Sequence, residues 1–297
     1  MKQKGQRYLS VPVLLGIVVL LSAVTVFHGF AGMNSMFSAE TCLWITVRSL
    51  STKVFAQDVQ DENYVPVLLY HSFKSKVTPR ECHVAVTPEE FAAQMSYLIN
   101  KGYKSISLTE LTDSFMGKKE LPPKPFIVTM DDGCENNYQL AYPILCKYNI
   151  KATIFVIPSR IGTRTGNTQY LTWRQAKEME DSGLVEVHNH SLNHLDCSAV
   201  PTKELVENAV AAQELIESNL GERKVRAFAF PYGRCSELGQ KELAKAGFKI
   251  QMVIGNGAPL RQTGNQDLTG IKRINVQHGL TGSDVERMMK KYGWTRE

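Results

Sequence analysis

The sequence predicts an α/β fold, most economically a distorted (β/α) barrel of seven or eight strands, and three observations predict it. Strand-like and helix-like stretches alternate seven or eight times between residues 64 and 292, the pattern of parallel strands joined by helical crossovers. Several strand-like runs are apolar at nearly every position, as strands buried on both faces are. Those runs end in His, Asp, Pro and Gly, and barrels of this kind keep their chemistry at the strands' C-terminal ends.

Residues 65–70, VPVLLY, form the first apolar strand, which ends at His71. Thr87-Pro88-Glu89-Glu90 then reads as a helix start, with Thr as N-cap, Pro at the first position and Glu at the third. Phe91, Met95 and Leu98 continue that helix to a stop near Gly102. A short strand is expected over 105–108, then a second helix, then a central strand at Phe126. A helix over 138–148 follows, its course disturbed by Pro143. Further strands are expected over 152–157, 184–187, 225–230, 249–254 and 271–276. Helices are expected over 173–182 after Thr172, 203–219 before Gly221, 237–246 after Ser236, and 284–292 after Ser283.

Ahead of this domain, Lys2, Lys4 and Arg7 precede a stretch from Val11 to Phe27 without charge. Residues 1–31 therefore read as an export signal or membrane anchor, an uncleaved anchor being favoured, although Gly29-Phe30-Ala31 offers a small-residue cleavage pattern. Residues 32–63 read as a linker and 64–297 as the domain. The domain is accordingly expected outside the membrane, anchored to it, or secreted if the signal is cleaved. The formal net charge of +5 includes three residues of the basic N-terminus. The remainder is nearly balanced and lacks the basic stripe of a nucleic-acid binder, so nucleic acid is not expected as a partner. The six cysteines include no CxxC pair, which argues against a structural zinc ribbon. Cys134, Cys197 and Cys235 each lie within three residues of a polar cluster at a strand end.

The chemistry starts at residues 124–133, KPFIVTMDDG, where an apolar run delivers Asp131 and Asp132 to a strand tip. Neighbours on a strand face opposite ways, so the two carboxylates can take different work, such as metal ligand and proton acceptor. Read alone, the segment is more simply an ordinary Asp-Gly turn, and only partners elsewhere overturn that reading. Residues 188–194, HNHSLNH, hold three of the seven histidines. One helical turn would put His190 and His194 on one face, and two imidazoles with one carboxylate form a common open metal set. His188 shares a strand face with His190, but that pairing leaves His194 unexplained, so His188 reads as flanking. Pro231-Tyr232-Gly233 form a stiff turn that can present a backbone N–H to a developing oxyanion. His71 and His278 both follow apolar runs, and each is a candidate acid. His71 is preferred, because VPVLLY reads as fully buried whereas RINVQHG is more polar and reads as an edge.

Together TMDDG at 129–133, HSLNH at 190–194 and FPYG at 230–233 resemble the NodB-type polysaccharide deacetylases, carbohydrate esterase family four. The resemblance covers roughly residue 64 to the C-terminus. With VPVLLYH and the phenylalanine before PYG, it is most similar to the branch that deacetylates poly-N-acetylglucosamine. It implies Asp131 as general base, Asp132, His190 and His194 as metal ligands, and the Tyr232 backbone as oxyanion donor. It further implies His71 as catalytic acid, with His278 in the place where other branches put their histidine, and Pro231 and Tyr232 against the substrate. One divalent ion is implied, zinc first, with cobalt or nickel as alternatives. Two departures stand out: Phe230 replaces an arginine that orients the base in peptidoglycan-type members, and His188 replaces a residue that is usually small.

The expected activity is metal-dependent hydrolysis of the acetamide of N-acetylglucosamine units in an extracellular or cell-wall polysaccharide, releasing acetate. Two other readings share the site, a catalytically silent glycan-binding protein on the same barrel and a hydrolase of small N-acetyl substrates.

Overall fold

Six consecutive buried residues, Pro125–Met130, make the strand from which the barrel is built outward. The computed structural model describes residues 64–255, 260–261 and 268–292. Seven parallel strands ring the barrel in chain order: β1 (Val67–Tyr70), β2 (Pro125–Met130), β3 (Ala152–Val156), β4 (Val185–Asn189), β5 (Ala227–Ala229), β6 (Ile250–Ile254) and β7 (Ile271–Asn275). Each pairs with its neighbours in the chain, and β7 closes the ring by setting Ile274 against Leu68 and Asn275 against Leu69 of β1. The stretch expected as a strand over 105–108 contributes only Lys104–Ser105, which lies beside the N-terminal end of β2 and is not a member of the ring. It stops there because Ser107 accepts the Glu110 N–H while Glu110 reaches back to the Ser107 N–H, a capping box that starts a helix at Leu108.

The helices are α1 (Pro88–Asn100), α2 (Leu108–Phe115), α3 (Tyr142–Tyr148), α4 (Trp173–Asp181), α5 (Thr202–Leu220), α6 (Glu237–Lys245) and α7 (Gly282–Tyr292). Thr87 with Glu90, and Thr172 with Gln175, form capping boxes as the sequence suggests; each such cap is worth about 1 kcal/mol. α7 starts two residues earlier than expected, since it is Thr281 that accepts the Asp284 N–H. Pro143 has no N–H to donate, and the chain meets it with one wide π-type turn, Asn137–Ala141, before α3 begins.

Alternation along the strands sorts the core into two. Leu68, Tyr70, Val128, Met130, Ile154 and Val187 pack outward against the helices. Val67, Ile127, Phe155, Ala229, Met252 and Ile271 fill the barrel together with Leu108 and Leu111 of α2. α2 thus plugs the end where the strands begin, and its two fully buried leucines contribute about 2 kcal/mol each. The opposite end stays open to carry side chains.

β7 corrects the reading of RINVQHG as an edge: it is hydrogen-bonded on both sides, to β6 and to β1. Its polar residues do not mark an exposed strand. Lys272 is exposed, whereas Arg273, on the same face as the interior residue Ile271, is fully buried. The hydrophobic segment 1–31 and the linker 32–63 lie outside the described residues. Among the described residues no helix is long and apolar enough to cross a membrane.

Candidate active site

At the end of β2 the backbone turns left-handed twice, at Asp132 (φ 73°) and Gly133 (φ 68°). Glycine is required at the second position, because a Cβ there would lie 2.9 Å from the Val156 side chain as well as in a conformation L-residues rarely adopt. The turn separates the two carboxylates. Asp131 continues the inward face of β2 and is 2% exposed. Arg273 of β7 donates to both of its oxygens, at 2.6 and 2.7 Å. Asp132 turns the other way, toward two histidines.

β4 runs further than the sequence indicates, through Asn189, and His190 still donates its backbone N–H to Val156 at 2.9 Å. His194 does not reach His190 by a helical turn. Ser191 and His194 both take left-handed conformations, with φ of 63° and 64°, and side chains hold the loop between them. Asn189 Oδ1 accepts from Ser191 N–H at 2.9 Å, Ser191 Oγ from Leu195 N–H at 3.0 Å, and Asn208 of α5 from Leu192 N–H at 2.8 Å. The result is His190 Nε2 at 3.6 Å and His194 Nε2 at 3.4 Å from Asp132 Oδ1. The three ligand atoms lie within 4.8 Å of one another. One carboxylate and two imidazoles are a donor set that fits a divalent cation while leaving positions open. His190 Nδ1 lies 2.8 Å from the Ala229 carbonyl, which selects the tautomer with its proton on Nδ1 and the lone pair on Nε2, toward the site.

His188 is not part of this set. It is buried below His190 on the same strand face, 3.6 Å from Glu186, and neither ring nitrogen has a hydrogen-bond partner. Glu186 in turn accepts from the Leu108 and Thr109 N–H groups at the start of α2, which fastens the plug.

The charges follow from these contacts. Burial pushes the Asp131 carboxyl up, but Arg273 and His190 outweigh it and hold the group below the usual carboxylate range. Asp132 is likewise lowered against its burial by the His194 hydrogen bond and the neighbouring imidazoles. Burial lowers His190 against the pull of the two carboxylates, which favours its uncharged imidazole. That is the protonation state in which carboxylate and imidazole bind cations.

The β5 tip places Pro231, Tyr232 and Gly233 beside this group. Tyr232 is 59% exposed and packs edge-on to His194, ring centres 4.8 Å apart. Pro231 has no N–H and Gly233 gives its own to Phe230, so the Tyr232 N–H is the donor this turn has to offer. His71 follows β1, beside the end of β2, its carbonyl fixed by Asn137 Nδ2 at 2.7 Å. His278, two residues past Val276, is engaged by Glu90 of α1 at 2.9 Å. Arg273, which grips Asp131, is the residue of this site that the sequence reading passes over. Its one signal in the sequence is its place two residues after Ile271, on the same face of an otherwise strand-like stretch.

The comparisons with known proteins bear on the chain as a whole. Residues 118–251 match the family model described as polysaccharide deacetylase. YxkH of Bacillus subtilis, a protein named for the polysaccharide deacetylases, is 31% identical over 219 residues, 74% of each chain. The poly-beta-1,6-N-acetyl-D-glucosamine N-deacetylase of Staphylococcus epidermidis is 30% identical over 207 residues, 65% of this chain and 68% of that one. Among solved structures, the Streptococcus pyogenes deacetylase PplD in complex with acetate superimposes with a TM-score of 0.66 at 25% identity, covering 76% of this chain and 98% of that one. IcaB from Ammonifex degensii does so with a TM-score of 0.65 at 26% identity, covering 77% and 97%. With a relative 31% identical across 74% of both chains, and a matching family model over residues 118–251, the chain belongs to the polysaccharide deacetylase family.

Proposed function

We propose that the chain hydrolyses the acetamide of N-acetylglucosamine units in a polysaccharide, releasing acetate and leaving a free amine on the sugar. One observation carries the reading. A buried, ionised carboxylate, Asp131, is locked by Arg273 with its Oδ2 3.9 Å from His190, beside an open Asp–His–His donor set. A glycan-binding module needs neither a base nor a ligand set.

Asp132, His190 and His194 would hold the divalent ion, which when bound polarises the acetamide carbonyl and acidifies water. Asp131 takes the proton of the attacking water, and Arg273 keeps that carboxylate oriented and ionised until it does. As the water oxygen bonds to the carbonyl carbon, the negative charge on the carbonyl oxygen is met by the Tyr232 N–H. His71 gives a proton to the departing nitrogen as the carbon–nitrogen bond breaks, so the products are acetate and an amine. Tyr232 and Pro231, beside the ligand set, are positioned to lie against the sugar ring.

The substrate class draws on the staphylococcal relative, whose name specifies the β-1,6-linked polymer. Location outside the membrane draws on Lys2, Lys4 and Arg7 ahead of the uncharged stretch from Val11. Acetate release by the full-length chain from β-1,6-N-acetylglucosamine oligomers of graded length is expected to rise with length. Release from the monosaccharide and small acetamides alone would replace the polymer with a small substrate. In cells, the whole protein is expected in the membrane fraction; recovery solely as a soluble form beginning at Gly32 would replace anchoring with cleavage.

A further inference from the structure

Two of the loops that build the site carry a cysteine three residues past a functional position: Cys197 after His194, and Cys235 after Tyr232. The fold brings the pair together. Cys235 Sγ lies 4.0 Å from the Cys197 carbonyl oxygen, and the two side chains pack on one apolar cluster with Leu205, Phe228 and Phe230. The space for the Cys235 sulfur is built in from the opposite side. A Cβ on Gly239 of α6 would stand 2.6 Å from it, so this helix presents glycine where any larger residue would displace the thiol. The same loops are joined nearby by an ion pair, Arg234 to Asp196 at 2.8 Å, but that pair is exposed and contributes little by itself.

We propose that Cys197 and Cys235 form a disulfide that ties the metal-ligand loop to the oxyanion loop, made by exchange with a disulfide oxidant. The thiolate of Cys235 attacks one sulfur of the oxidant and expels the other as a thiolate. Cys197 then attacks the Cys235 sulfur of the mixed disulfide and expels the second. Two protein thiols lose two protons and two electrons, and the oxidant's disulfide becomes two thiols. The order follows from the surroundings. Cys235 is half-buried and immediately precedes the N-cap of α6, and although burial pushes it up to about 11, Ser236 opposes the rise. Cys197 is 2% exposed and is pushed up to about 12 by burial and by Cys235 itself, which suits the resolving partner.

The bond would close the chain from Cys197 to Cys235, a span containing all of α5 and β5, and would hold Tyr232 at a fixed distance from His194. To test it, the full-length chain is kept with oxidised glutathione or with dithiothreitol. Remaining thiols are then blocked with iodoacetamide, and the digest is weighed without reduction. A peptide pair joined through Cys197 and Cys235 is expected in the oxidised sample alone, with a thermal midpoint about 5 to 10 °C above that of the reduced sample. Cys197→Ser and Cys235→Ser should each abolish the difference between oxidised and reduced samples. That difference is read within each variant, so a variant of lower stability still reports. Alkylation of both thiols after oxidation, pairing of either with another cysteine, or a cross-link with no change in midpoint would each overturn the proposal. None of these readouts depends on deacetylation, so the disulfide and the proposed function stand or fall separately.

Discussion

β4 and β7 both carry polar side chains into the barrel, and they do so in opposite ways. β4 delivers its chemistry past its end: the ladder runs to His190, and a side-chain-braced loop then returns His194 to within ligand distance of Asp132. β7 delivers its chemistry from within. Arg273 sits mid-strand among apolar neighbours, crosses the barrel to Asp131, and rests over the Phe155 ring at 5.6 Å on the way. The first contribution is a spacing of residues along the chain; the second is a register between strands. A sequence displays spacing and conceals register, which is why HSLNH reads as a site and RINVQHG as an edge.

The sharpest break in the comparison is His194→Ala. It removes one of the three proposed ligands, so bound divalent ion should fall to a small fraction of wild type in elemental analysis, and acetate release by about 10³-fold or more. Unchanged stoichiometry and affinity would remove His194 from the set and leave β4 contributing by its strand alone.

Next comes the proton donor, where neither region decides. His71→Ala should lower kcat by about 10²- to 10⁴-fold with ion content intact, and should remove the basic limb of the pH profile. His278→Ala should leave both in place, because that ring is occupied by Glu90. The polarity of β7 gives no reason to prefer His71, because that strand is hydrogen-bonded on both sides. What supports it is place: His71 follows the strand paired with β2, whose end carries both aspartates, whereas His278 is held by Glu90. Loss of the basic limb in the His278 variant alone would exchange the assignments.

Arg273→Lys tests β7 directly. Lysine keeps the charge but loses the two-pronged grip, so kcat should fall by about 10²-fold with ion content and KM little changed. The sign of the pH effect is fixed by the forces on Asp131. Burial raises its pKa and Arg273 opposes that, so a weaker partner lets it climb and moves the acid limb to higher pH. Truncation to alanine is the poorer experiment, since it strands a buried carboxylate at about 3 to 5 kcal/mol. A Lys variant with wild-type kcat and an unmoved acid limb would make the ion pair a matter of folding only.

Much of the fold was legible for a physical reason. Strands buried on both faces read as unbroken apolar runs, and Thr87, Thr172 and Ser236 announce their helices by capping chemistry that acts within four residues. What was hidden depends on distant partners. Leu108 looks like the end of a strand until Ser107 and Glu110 are seen to cap a helix there. β4 outruns its apolar signal because a strand lining a polar cavity carries His188 and His190 where an ordinary core strand would carry apolar residues. His188 illustrates the limit. It is neither ligand nor exposed flank, and its buried ring belongs to the layer beneath the site.

The smallest expected effect concerns that lower layer, and asks whether polar residues inside the barrel serve the reaction at every depth. Glu186 is raised by its burial but lowered further by His188 and by the N-terminal donors of α2, ending at about 2. Its folded pKa lies below the ordinary value, so its stabilising contribution is complete above about 4.5 and is lost as pH falls toward 2. Glu186→Gln keeps the shape but removes the charge that meets the α2 N-terminus, worth about 1 to 2 kcal/mol. At pH 7 the thermal midpoint should therefore drop by about 2 to 8 °C. The gap to wild type should narrow steadily between pH 4.5 and 2, with kcat and ion content unchanged. A gap that stays constant across that range would mean that the amide disturbs packing rather than charge. A fall in kcat at constant ion content would mean that the plug end of β4 communicates with its tip, and the division between fold and site along this strand would have to be redrawn.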